Sequence, residues 1–291
     1  MSRFWRTFFA ALLLWAALAG AAAADPPLWR ARGPNGAEVV LFGSVHVLTE
    51  DARWRTPELE VALAEADQVW FETPFDPASR AEAGTLAFER SKAPPGRTLS
   101  SYLSRSERAL LERTAARLAL PMATLETMQP WYVEMLIAVT DLQRIGGRQA
   151  LGVEEQISAS LPPDKQRRAF ETTAQQVALF ADAPPREQAA SLVQSLQELE
   201  AEPDAFAKLQ QAWTSGDVRF LEREAVAPMK AKAPRLYRRL VTNRNRAWVA
   251  TIEGLLKGSE QALIVVGVGH LVGPDSVPAM LRRRGFAVEG P

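Results

Sequence analysis

Cysteine is absent from the 291 residues, so neither a disulfide framework nor a lipid-modified cysteine is available, and the folded part must stand on its apolar core. An excess of either charge is missing too: Lys plus Arg and Asp plus Glu balance at 34 each. No global field therefore favours a nucleic acid or an anionic membrane surface as partner. Apolar runs are also short, none reaching the roughly 20 residues a membrane-spanning helix needs. The nearest approach is at the start, where Arg3 and Arg6 precede an apolar stretch at 8–18 and Ala22-Ala23-Ala24 stands before Asp25. That order reads as a cleavable signal peptide, 1–24, with no stable membrane span after its removal and a periplasmic or secreted destination. Residues 25–291 are then ample for one large domain.

Histidine is scarce as well, with two in the chain. His46 follows Val39-Val40-Leu41-Phe42 and closes Gly43-Ser44-Val45-His46. His270 follows Leu263-Ile264-Val265-Val266 and closes Gly267-Val268-Gly269-His270. Each is a buried-strand pattern followed by G-x-x-H, where glycine lets the backbone turn sharply or approach another group. A single histidine after a strand is more often a hydrogen-bonded structural imidazole. Both histidines in one local frame argue instead for a shared function.

The surrounding pattern says where that frame lies. Gly33-Pro34-Asn35-Gly36 reads as a turn joining two strands into a hairpin at a sheet edge. A helix capped by Thr56 with Pro57 in its first position follows, then a strand at Gln68-Val69-Trp70-Phe71-Glu72. Strand, helix and strand make a βαβ unit, so His46 and Glu72 should share the carboxyl edge of a parallel sheet, where open α/β sheets place ligands. Glu72 alone reads equally well as a structural strand-end acid. Phe71-Glu72-Thr73 recurs as Phe170-Glu171-Thr172, which suggests a pseudo-twofold arrangement in which each half gives an imidazole and a carboxylate.

Between the halves, 77–240 reads as largely helical, with a capping box at Ser104 and Glu107, a helix from Pro130 to the Gly146-Gly147 stop, and breaks at Pro184-Pro185 and Pro203. Aromatic and methionine positions there, Trp131 and Met135 among them, read as core, and the helices as a lid over the site. After them come a helix at 243–257, the second histidine strand, a helix at 277–284 and a closing strand at 286–288. The fold class expected is α/β: a central, mostly parallel sheet flanked by helices, with a large helical insertion between two half-sites.

Gly43-Ser44-Val45-His46, Phe71-Glu72, Pro130-Trp131, Gly152-Val153, Phe170-Glu171-Thr172, Arg244-Asn245 with Trp248, and Gly267-Val268-Gly269-His270-Leu271 together resemble the TraB/GumN family. That family is related to the Tiki metalloproteases and, more distantly, to erythromycin-esterase and ChaN-like folds. Glu154 stands where the family often has aspartate, and Arg167-Arg168 makes the stretch before Glu171 less strand-like. The resemblance implies metal-dependent hydrolysis of a peptide bond by the two G-x-x-H histidines and a strand-end glutamate. His46, Glu72 and His270 would then be both the catalytic group and the ligands of a divalent ion, manganese, cobalt or zinc. Two imidazoles and a carboxylate suit such an ion and leave a position for water whose pKa it lowers toward about 7. Outside the ligand set, Glu72 would instead act as general base. Arg244, Asn245 and Glu171 are the substrate-binding candidates, Arg244 and Asn245 through an oxyanion or a substrate carboxylate, with helix packing as their alternative role. Two further readings stay open: metal-free, esterase-type hydrolysis with His46 activating water, and a haem- or ligand-binding protein without turnover. The partner in the enzymatic readings is a peptide or small-molecule substrate.

Overall fold

The computed structural model describes residues 25–291; the expected leader at 1–24 lies outside them. Val39-Val40-Leu41-Phe42 and Ala262–Val266 are runs of branched and aromatic side chains that suit a pleated surface covered on both faces, and all of them are buried. They form β2 (Glu38–Ser44) and β5 (Gln261–Gly267), neighbours in a six-stranded sheet of order β4-β3-β5-β2-β1-β6. The remaining strands are β1 (Leu28–Arg32), β3 (Gln68–Phe71), β4 (Gln166–Ala169) and β6 (Ala287–Glu289).

The sheet is mixed. β4, β3, β5 and β2 run parallel, whereas β1 is antiparallel to both β2 and β6. The expected hairpin of β1 and β2 is present, but not at an edge: β6 pairs beyond β1, and β2 is interior. The βαβ unit is also present, with β5 inserted between its two strands. β4 was hidden by its composition. Gln166, Arg167 and Arg168 are exposed on an edge strand, so no burial imposes a hydrophobic pattern on them.

The helices are α1 (Pro57–Glu65), α2 (Pro77–Arg90), α3 (Arg105–Arg117), α4 (Pro130–Arg144), α5 (Val153–Ser160), α6 (Thr173–Ala181), α7 (Pro185–Ala201), α8 (Ala205–Thr214), α9 (Asn243–Leu256) and α10 (Val277–Arg283), with shorter turns between them. Thr56 caps α1 by accepting from the Leu59 N–H, and Ser104 with Glu107 forms the capping box of α3. Alternate residues along β2 and β5 serve opposite layers. Val39, Leu41, Ile264 and Val266 pack with Trp248, Ile252 and Leu281 of α9 and α10. Val40, Phe42, Leu263 and Val265 pack with Leu59 and Leu63 of α1, Ile157 of α5 and Trp213 of α8.

The helical stretch between β3 and β5 is interrupted, since β4 returns to the sheet midway. Away from the sheet, α3, α4 and α7 enclose a core of their own around Leu111, Val133, Ile137, Leu192 and Leu196. Trp131 is buried as expected, in a separate small cluster with Val177 and Ala181 of α6, but Met135 of α4 is 42% exposed.

Candidate active site at the carboxyl edge of the sheet

The two histidine motifs are side by side. β2 and β5 pair in parallel with Gly43 opposite Val266 and Ser44 opposite Gly267, so both loops leave the same edge, and β3 brings Glu72 to that edge from the other side of β5. The glycines serve close approach here rather than an unusual backbone angle. A Cβ built on Gly267 would lie 3.1 Å from Glu72 Oε1, 3.8 Å from His270 Cδ2 and 3.9 Å from His46 Nε2. Three groups from three strands thus surround one backbone position, and a side chain there would push into the carboxylate.

His46 sits at the mouth, its side chain 65% exposed, with Nδ1 2.8 Å from the buried Glu154 Oε1. Glu154 is brought to this point by the first turn of α5. The Val153 N–H donates to the Val45 carbonyl, and a Cβ on Gly152 would stand only 2.3 Å from the His46 carbonyl oxygen. The Ser44 hydroxyl donates to the same Oε1 at 2.5 Å. The charge of Glu154 is the largest influence on His46 and pushes its pKa up to about 9. In return, burial raises Glu154, but His46 and Ser44 more than offset it and hold the acid below its ordinary range.

His270 is buried and tied differently. Asn245, fully buried on α9, donates through Nδ2 to the carbonyls of His270 and Asp275, which turns its Oδ1 toward His270 Nδ1 at 2.6 Å. Nδ1 therefore carries the proton, and Nε2 presents a lone pair. Burial, reinforced by Arg244 and His46 and opposed by Glu72, pushes His270 down to about 4, so it is neutral at pH 7. Its Nε2 stands 3.8 Å from Glu72 Oε1 and accepts from Arg244 Nη1 at 3.0 Å.

Arg244 is the hub of the acidic side. Its Nη2 donates to Glu72 Oε2 at 2.5 Å, while Nε and Nη2 grip both oxygens of Glu171 at 2.7 and 3.0 Å. The Gly267 N–H donates to Glu72 Oε1 at 2.8 Å, Gln176 Nε2 to Oε2 at 3.2 Å, and Trp248 Nε1 to Glu171 Oε1 at 3.0 Å. Burial alone would raise the Glu72 pKa. The positive groups around it, His270, Arg244 and His46, carry it instead far below the usual carboxylate range. Because His270 is neutral near pH 7, Arg244 and the protonated His46 supply the lasting part of that field.

All six residues singled out by sequence, His46, Glu72, His270, Arg244, Asn245 and Glu171, therefore gather at one rim. The roles of the outer three are specific. Asn245 stands behind the His270 imidazole, with no surface to offer a substrate, and Glu171 anchors Arg244. The duplicated Phe-Glu-Thr is no twofold: Phe170 and Glu171 donate their N–H groups to the carbonyls of Phe71 and Glu72, so the two copies are adjacent parallel strand ends. Sequence reading left Glu154, Ser44 and Gln176 without assigned functions. An acid directly after Gly152-Val153, in the position where the family often has aspartate, was the available signal for Glu154.

Among the described residues, no three His, Asp, Glu or Cys side chains are already drawn together as an ion-binding cluster. The donor chemistry nevertheless suits a divalent ion. His46 Nε2 and Glu72 Oε1 face the same point beside Gly267, and each imidazole has its Nδ1 set against an oxygen, the arrangement that orients metal-ligating histidines. Arg244 Nη1 now engages the His270 lone pair, so ligation at that nitrogen requires the guanidinium to release one bond while keeping its two carboxylates.

Among the described residues, no helix is long and apolar enough to cross a membrane. The family model of TraB/PrgY/gumN matches residues 27–290. Uncharacterized protein YbaP of Escherichia coli strain K12 is 22% identical over 273 residues, covering 92% of this chain and 97% of its own length. The Shigella flexneri protein of the same name matches to the same extent. No solved structure matches.

Proposed function

This chain belongs to the TraB/PrgY/gumN family, and we propose that it is a metal-dependent hydrolase of peptide-like amide bonds, in a periplasmic or secreted setting, with His46, Glu72 and His270 holding the ion. The observation that carries the reading is the convergence of His46 Nε2, Glu72 Oε1 and the His270 ring on the space beside Gly267. A divalent ion supplies Lewis acidity and an activated water at neutral pH.

The chain's own residues do the rest. Glu154 orients His46 through Nδ1 and leaves Nε2 for the ion once that nitrogen has lost its proton, and Asn245 fixes the His270 tautomer that exposes Nε2. Arg244, buried and clamped by Glu72 and Glu171, places fixed positive charge where a developing oxyanion would lie, a setting in which such charge is worth more than in water. Glu72 stays ionised and accepts no proton until the pH is very low, so in this arrangement it acts as a ligand or an orienting group more readily than as a base.

A second reading has its own support. The Arg244 bond to His270 Nε2 completes a network that needs no ion, in which His46, once it loses its proton as the pH rises toward about 9, would act on water and Arg244 would stabilise the oxyanion. Hydrolysis of a peptide library by wild type, with and without a chelator, separates the two. Activity lost on chelation and restored by manganese, cobalt or zinc supports the first; undiminished turnover in metal-free protein overturns it in favour of the second.

A further inference from the structure

We infer that one N–H of Arg244 and the divalent ion compete for His270, and that a carbonyl or carboxylate oxygen of the substrate tips the contest toward the ion by taking the N–H that is released; this deepens the metal-dependent reading and rests on it. Ion and substrate then bind with positive coupling, through this one side chain.

A guanidinium has five N–H groups, and Arg244 has an acceptor for each. Nε and Nη2 give theirs to Glu171 and Glu72. Nη1 donates to the Leu240 carbonyl at 3.2 Å and to His270 Nε2 at 3.0 Å. The side chain is 9% exposed. The Trp248 ring lies over it, with Cζ 4.7 Å from the ring centroid, and beside the His270 ring at 4.5 Å between centroids. Carboxylates and indole thus hold the guanidinium where it is. The carboxylate bonds are charge-assisted on both sides, whereas the His270 acceptor is neutral, so that bond is the side-chain contact most easily given up.

His270 Nε2 has a single lone pair, because Asn245 keeps the proton on Nδ1. That pair can serve the guanidinium or an ion, but not both. With an ion at this nitrogen, one N–H of the barely exposed Arg244 loses its acceptor, and an unmet buried donor costs on the order of tenfold in affinity. A substrate oxygen beside the ion restores the missing bond and removes that cost. A peptide-like substrate offers such an oxygen in its carbonyl, and the product of its cleavage in a carboxylate. The coupling is reciprocal: the substrate tightens the ion by the factor by which the ion tightens the substrate.

Calorimetric titration of the chelator-treated full chain with cobalt, with and without acetate as the smallest carboxylate probe, tests this without relying on turnover. Acetate should tighten cobalt at least fivefold in wild type. Arg244→Lys keeps the charge between the two carboxylates but not the fork that also reaches the imidazole. It should bind cobalt at least fivefold more tightly than wild type and gain less than twofold from acetate. Complexation of cobalt by acetate in solution is the same for both proteins and cancels. Should the variant fail to fold, proton–nitrogen spectra of wild type carry the test. An Arg244 side-chain N–H that exchanges slowly in ion-free protein should exchange at least tenfold faster with zinc bound and slow again when acetate is added. Equal cobalt affinity in the two proteins, an acetate gain that persists in Arg244→Lys, or an Arg244 N–H indifferent to zinc overturns the inference. Stoichiometric cobalt binding without these effects removes the coupling and keeps the metal-dependent reading; cobalt bound by neither protein removes both.

Discussion

Glu154→Gln is the substitution whose effect can be worked most directly from the structure. The side chain keeps its size and its bond from Ser44 but loses the charge that sits 2.8 Å from His46 Nδ1. Coulomb attraction at that distance is roughly 1.5 kcal/mol in a water-like dielectric and about 6 kcal/mol at an effective dielectric of 20. The His46 side chain is 65% exposed, so the lower figure governs, and it corresponds to a fall of at least about one pKa unit. Wild-type His46 should titrate at about 9 and His270 at about 4. The chain has only these two histidines, so proton–nitrogen correlation spectra of labelled, chelator-treated protein display one resonance set for each. The variant should move the upper titration down toward the ordinary value near 6.5 and leave the lower one in place. Two histidines titrating together near 6.5 in wild type, or an upper titration indifferent to Glu154→Gln, would refute the assignment of Glu154 as the orienting acid.

Gly267→Ala places a methyl 3.1 Å from Glu72 Oε1, an oxygen already held by the Gly267 N–H, in a carboxylate whose other oxygen accepts from Arg244 and Gln176. Turnover should drop at least tenfold while stability falls by only about 1–2 kcal/mol, readable by steady-state kinetics beside urea unfolding. Arg244→Met strands the buried carboxylate of Glu72 and the half-buried one of Glu171, and should destabilise by about 3 kcal/mol. Adding Glu171→Gln should recover part of that loss, and strict additivity in the double-mutant cycle would contradict the clamp. The His46–Glu154 pair also fixes a pH dependence. A histidine whose folded pKa is raised contributes its full stability below about 6.5 and loses it as pH rises through about 9. After allowance for solvent screening of the exposed ring, metal-free protein should lose about 1 kcal/mol over that window, and Glu154→Gln should flatten it.

The parts of this site that sequence made legible are those fixed by short-range pattern. Branched runs at 39–42 and 263–266, each closed by G-x-x-H, announced two interior strands and two imidazoles. The strand–helix–strand spacing put Glu72 on the same rim. What stayed hidden depends on neighbours distant along the chain. β4 carries no apolar alternation because its side chains face solvent at an edge, so the adjacency of Glu171 to Glu72 could be seen only in the sheet. Position 154 stands two residues after Gly152, whose missing Cβ matters because the His46 carbonyl presses on it. Asn245 looked like a group offered to substrate, and its burial behind His270 follows from the packing of α9 on the sheet. The β1–β2 hairpin was recognisable from its turn, yet its place inside the sheet was set by the last three-residue strand, which is too short to advertise its partner.

Calorimetric titration of the chelator-treated chain with zinc or cobalt tests most directly whether His46, Glu72 and His270 hold one divalent ion. One ion per chain in wild type, with binding lost or weakened at least a hundredfold in each of His46→Ala, Glu72→Gln and His270→Ala, is the predicted result. Unchanged stoichiometry and affinity in any of the three would contradict it.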